Sequence, residues 1–302
     1  MTKYLPVLIA LALAACQPAA ESPAKPIANA GTAAIEKPAA TGENRLARIL
    51  AAEPADVQAR YAFRHPQETL EFFGIEPGMT VIEGLPGRGW YTQVLLPYLG
   101  KDGQVIGASY AMDMWPNFGF ASEEFLRTQS TWVTDWPAEA EGWRGDDGAT
   151  LAAFNFGAMP DSLAGVADVV FLVRVLHNAA RFESVRGFLG EIMADSYAAL
   201  KPGGTLGIVQ HHARDEMSDE FADGSHGYLK KSFVIAAAVA AGFEFVAESD
   251  INANPLDQPG EEDVVWRLPP SYGTSQDNPE LKAAMDAIGE SNRMTLKFRK
   301  PE

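Results

Sequence analysis

Apolar residues fall along this chain in two alternating modes. Short continuous runs at Met79 to Leu85, Gln104 to Ala108, Asp168 to Val175, Thr205 to Gln210 and Phe243 to Glu248 have the length of strands buried on both faces. Met294 to Arg299 predicts a closing strand. Between these runs the apolar spacing becomes helical. Tyr91 to Leu99 and Lys230 to Ala241 read as helices, and Glu183 to Leu200 sets Val185, Phe188, Leu189, Ile192, Met193 and Leu200 on one face. Upstream, Glu43 to Ala59 has helical composition, and a short helix is entered at His65-Pro66 and carries Thr69, Leu70, Phe72 and Phe73. Pro77-Gly78, Lys101-Asp102-Gly103 and Lys201-Pro202-Gly203-Gly204 punctuate the pattern as turns. Strands alternating with helices predict an α/β, doubly wound, mostly parallel sheet with helices on both faces. Ligands of such sheets sit beyond the carboxyl ends of the strands.

The first residues follow neither mode. Lys3 precedes the apolar run Leu5 to Ala14, too short to span a bilayer, which predicts a signal peptide over residues 1–15. The sequence Leu13-Ala14-Ala15-Cys16 resembles a bacterial lipobox, and the chain's single cysteine occupies the lipidation position. Residues 16–42 are rich in Ala and Pro without period, the composition of a disordered tether. The expected domain is then residues 43–302. Gln17 follows the cysteine, which favours sorting to the outer membrane, so the expected place is the periplasm, with membrane attachment through lipid on Cys16.

Composition narrows the partners. The 302 residues are 47% hydrophobic and 21% charged, as in globular proteins, and the formal charge of -16 disfavours nucleic acid. With one cysteine there is neither a disulfide framework nor a multi-cysteine zinc site.

Candidate chemistry lies after the strands. Glu83-Gly84-Leu85-Pro86-Gly87-Arg88-Gly89 links the first strand to the next helix, where glycines let backbone N–H groups approach a ligand. His177, His211, His212 and His226 all follow strand ends, so the topology is expected to gather them at one mouth, as general bases or as metal ligands. Trp115, Trp132, Trp136 and Trp143 lie in a long stretch read as lacking regular period, which is either a lid over that mouth or a satellite cluster pinning a loop.

Val81-Ile82-Glu83, Gly87-x-Gly89, Asp168-Val-Val-Phe and Leu200-Lys-Pro-Gly-Gly together resemble class I S-adenosylmethionine-dependent methyltransferases. The likeness is closer to a family of exported, methyltransferase-like bacterial proteins, carried by Arg64-His65-Pro66, Phe72-Phe73-Gly74, Pro86 to Thr92, Leu176-His177-Asn178, His211, Ala240 to Asp250 and Leu296 to Pro301. The resemblance implies a seven-stranded Rossmann-like sheet whose last strand is antiparallel, with S-adenosylmethionine as cofactor. It implies cofactor-binding roles for Glu83, Gly84, Gly87, Gly89 and Ser109; His177 and His211, from their places after strand ends, are the catalytic candidates, and without a spacing such as His-x-x-x-His no resident metal is assigned. Two departures bear on the cofactor. Leu85 stands at the first glycine position, and Ser109-Tyr110 replaces the acidic residue that accepts from the ribose hydroxyls, with Asp113 nearby as a substitute. The functional alternatives are methyl transfer to an unknown acceptor, a non-catalytic envelope lipoprotein that kept the fold to bind a small molecule, and a histidine-dependent metal-binding protein.

Overall fold

The computed structural model describes residues 44–302; the signal peptide, Cys16 and the tether lie outside the described residues. Among the described residues eight strands form, β1 (Thr80–Gly84), β2 (Gln104–Ser109), β3 (Thr150–Asn155), β4 (Ala167–Val173), β5 (Leu200–Ala213), β6 (Leu229–Lys230), β7 (Glu244–Ser249) and β8 (Arg293–Arg299). Seven of them run in the order β3-β2-β1-β4-β5-β8-β7, and the short β6 pairs with β5 off this path. β1 to β5 pair in parallel, whereas β8 is antiparallel to both its neighbours, with Ile208 opposite Leu296 on the β5 side. This is the expected doubly wound α/β sheet with an antiparallel closing strand, the Rossmann-like arrangement of class I methyltransferases.

Alternation along the strands divides the core. Val81, Val105, Val169, Phe171 and Val209 pack one face with the helices Arg45–Ala52, Pro66–Phe73 and Thr92–Leu99. Ile82, Ile106, Val170, Leu172, Ile208 and Leu296 pack the other with the helix Phe188–Ala199. Both faces are covered, so β1 and β2 are buried almost end to end. That explains why their sequences read as continuous runs rather than alternations.

Four local readings are corrected. The stretch between β2 and β3 contains a 22-residue helix, Glu123–Arg144, capped by the Ser122 hydroxyl accepting from the Phe125 amide at 3.1 Å, where the sequence predicts no regular period. Its Trp132, Trp136 and Trp143 pack against the sheet and the glycine loop, so they form neither a lid nor a loop cluster. β3 and the helices Leu176–Arg181 and Pro279–Ile288 were not anticipated. Lys201 to Gly204 is not a turn before β5 but part of it, absorbed where the register against β4 shifts. The fourth strand ends at Val173, because Arg174 turns into the left-handed region at φ 59° and leaves the sheet.

Candidate functional site

The strand order reverses between β1 and β4, and there the carboxyl ends open onto a cavity of about 620 Å³. Leu85 after β1, Tyr110 after β2, Arg174 and His177 after β4 and His211 near the end of β5 line its base. One wall is aromatic, built by Trp115, Phe118 and Phe120 from the segment that follows β2. The opposite wall is Val265, Trp266, Leu268 and Pro269-Pro270 from the long connection between β7 and β8. A buried network holds that connection in place, in which Arg267 donates to Asp257 at 2.8 Å and to the Tyr228 hydroxyl at 2.9 Å.

Two of the four predicted histidines meet here. The rings of His177 and His211 lie 5.4 Å apart, and that of Trp266 is 5.8 Å from His177. His211 Nδ1 shares a hydrogen bond with Ser291 Oγ at 2.6 Å, and His177 Nδ1 lies 3.4 Å from the Gln210 amide nitrogen. Burial pushes the His177 imidazolium down to about 4, against the Gln210 hydrogen bond and with further depression from Arg174 and Arg181. Burial likewise holds His211 well below the usual range, helped by His177, Arg174, Arg293 and Arg64. Both rings are therefore neutral at pH 7 and able to accept a proton or a hydrogen bond. His212 and His226 are not brought to the cavity. His212 sits beside Lys231 and Glu248, and His226 stacks on Phe221 with ring centroids 5.0 Å apart. Among the described residues no three His, Cys, Asp or Glu side chains come together as a metal site.

The residues assigned to the cofactor lie apart from the cavity lining. Glu83 is buried and accepts from the Thr92 hydroxyl at 2.7 Å; burial raises its carboxyl to about 7 in spite of that bond. A side chain on Gly84 would strike Leu172, and one on Gly89 would strike the Trp143 ring at 2.4 Å. Gly87 alone faces open space, with only the Leu85 carbonyl oxygen near, at 3.8 Å. Ser109 is buried, and Asp113 does not take up the ribose role, because its exposed carboxylate pairs with Arg186 at 3.0 Å.

Two side chains narrow the crevice in which S-adenosylmethionine would lie. Tyr110 reaches from the end of β2 to the Val175 carbonyl oxygen, 2.6 Å away beyond β4. Because β1 lies between those strands, this hydrogen bond joins the two segments that flank the carboxyl end of β1. Leu85 is held at φ 49° in the conformation a glycine would adopt, and its side chain lines the cavity. Both groups line the cavity at the end of β1.

Sequence reasoning missed Arg174, Arg181, Trp266 and Glu290 as cavity residues. Arg174 carried a signal, since it is the one cation in the apolar run that forms β4 and its exit.

No protein-family model matches the chain, and no curated protein matches it. Among solved structures it is similar to the [4+2]-cyclase SpnF, at 14% identity and a TM-score of 0.48 over 80% of this chain and 81% of that one. It is similar to the complex between the Haloferax volcanii Trm112 methyltransferase activator and its methyltransferase, at 14% identity and a TM-score of 0.48 over 87% and 100%. A SAM-dependent methyltransferase from Aquifex aeolicus gives 15% identity and a TM-score of 0.42 over 68% of this chain and 93% of that one. The domain is methyltransferase-like in fold, and that assignment stands on its own strand order.

Proposed function

We propose that this chain is an exported, lipid-anchored binding protein on a methyltransferase-like scaffold, which holds a small organic molecule in the strand-end cavity. The observation that carries this reading is the Tyr110 to Val175 hydrogen bond across the end of β1, with Leu85 beneath it. A strand-end cavity that keeps about 620 Å³ open while Leu85 and Tyr110 narrow its cofactor side is the layout of a binder. Calorimetry with S-adenosylmethionine and S-adenosylhomocysteine is expected to show dissociation constants well above ~1 μM. An affinity near or below that value would favour the second reading, methyl transfer from S-adenosylmethionine, for which the open face of Gly87 speaks. Restored affinity in a Leu85→Gly, Tyr110→Ala variant would attribute the loss to those two side chains, and restoration by Ser109→Asp to the missing ribose acceptor.

The periplasmic, outer-membrane placement rests on the lipobox at Cys16 and the tether that follows it. Intact-mass measurement of protein from its native envelope is expected to give a chain beginning at Cys16 with a lipid-sized increment. Cys16→Ser should abolish the increment. A soluble mature chain that begins at another residue would remove the anchor from the proposal.

A further inference from the structure

A cluster of guanidinium groups stands behind the cavity. Arg60, Arg64 and Arg293 converge on the single carboxylate of Glu290, at 2.7, 3.2 and 2.8 Å. Arg64, Arg293 and Glu290 are all buried, so one anion already serves three cations out of water. Arg174 is the fourth cation of the group. Its side chain has no ion pair or hydrogen bond among the described residues, and its Nε is a buried donor without a partner. Leaving such a donor unmatched is costly, more so for a charged group. Burial, and then Arg293, push the Arg174 guanidinium down to about 10, with Glu290 opposing.

The unmet groups in the cavity all have the same polarity. Of the lining side chains, Arg174 Nε and Trp115 Nε1 are buried without partners; both are donors, and no lining acceptor is left in that condition. Arg181 adds a second cation at the rim, lying 4.9 Å over the Phe182 ring. Around these donors the walls are apolar, formed by Trp115, Phe118 and Phe120 on one side and Trp266 and Leu268 on the other. Since the whole chain carries a formal charge of -16, long-range attraction does not bring an anion here. Recognition has to come from this local cluster.

We infer that the cavity takes an amphipathic organic acid, whose carboxylate or phosphate meets the Arg174 guanidinium while its apolar body lies between Trp266 and the aromatic wall. The inference rests on the strand-end cavity being the binding site and adds the chemical class of its ligand. A planar guanidinium pairs both oxygens of such a head group, and water-poor surroundings strengthen the pair.

The test uses the full-length chain and three probes with one body: 1-naphthylacetate, 1-naphthyl phosphate and the neutral 1-naphthylacetamide, titrated by calorimetry. At least one acid is expected to bind tenfold or more tightly than the amide, and the tighter acid names the head group. Arg174→Gln should erase that preference, while Arg174→Lys, which keeps the charge, should retain part of it. Trp266→Ala should weaken acid and amide alike. Equal binding of acids and amide, all weakened by Trp266→Ala, would overturn the acidic ligand and leave the cavity standing. An acid preference that survives in both Arg174 variants would also overturn it. Binding of none of the three probes would remove the cavity reading and this inference with it.

Discussion

Glu290→Gln is expected to cost about 3 to 5 kcal/mol of stability, because it leaves buried guanidinium groups without their shared anion. Arg64 and Arg293 are as buried as the glutamate, so water cannot take over the lost charge. The melting temperature should fall by on the order of 10 °C, which calorimetry or circular dichroism would register. Burial alone would favour the neutral acid. Arg293, Arg64, Arg60 and Arg174 outweigh it and hold the Glu290 carboxyl down at about 2, against 4.5 for the free side chain. A carboxylate whose folded-state pKa is depressed stabilises the fold fully above its unfolded value and loses that contribution as pH falls through the folded one. The linkage amounts to about 3 kcal/mol. The wild-type melting temperature is therefore expected to fall between pH 5 and pH 2, and the gap to Glu290→Gln to narrow over that range. A variant that melts within a degree or two of wild type at pH 7 would show that the arginines find other partners.

Gly89→Ala is expected to destabilise the domain by about 3 kcal/mol, combining left-handed strain of about 1 to 2 kcal/mol with overpacking of about 1 to 3 kcal/mol. Gly89 sits at φ 75°, and an added methyl would lie 2.4 Å from the Trp143 ring. Gly87→Ala is the internal control. Gly87 has φ 58° but meets only the Leu85 carbonyl oxygen at 3.8 Å, so its cost is the strain alone. Chemical denaturation of both variants checks the difference, and Trp143→Leu should recover part of the Gly89 penalty in a double-mutant cycle. Equal penalties at the two positions would mean that Trp143 yields readily. On this geometry the third glycine of the loop serves helix packing, whatever the loop binds.

Residues local in sequence carried the scaffold. The buried runs of β1, β2 and β4 and the amphipathic helix Phe188–Ala199 were legible because burial on two faces or on one stripe leaves a periodic trace. The helix Glu123–Arg144 was missed although Trp132, Trp136, Ala140 and Trp143 recur at helical spacing within it. Pro137 and the dense polar residues obscured a stripe that a longer window would have found. β3 was missed because its position at the sheet edge leaves most of its residues only partly buried, weakening the apolar run.

The site divides along the same line. His177 and His211 could be placed at the mouth because each follows a strand end, and strand ends of this topology share one side of the sheet. His212 and His226 satisfied the same criterion and failed it in space, for adjacent residues of a strand point to opposite faces and a loop histidine goes where its neighbours stack. By itself the sequence determined the alternating α/β order and the net negative charge, since each is a matter of residue type at a given place in the chain. Only the tertiary structure decided that Tyr110 bonds the segment beyond β4, that Arg174 has no ion pair among the described residues, and that Glu290 sits within bonding distance of Arg60, some 230 residues away. Those facts depend on which side chains end at the same point in space, and no local pattern records that meeting.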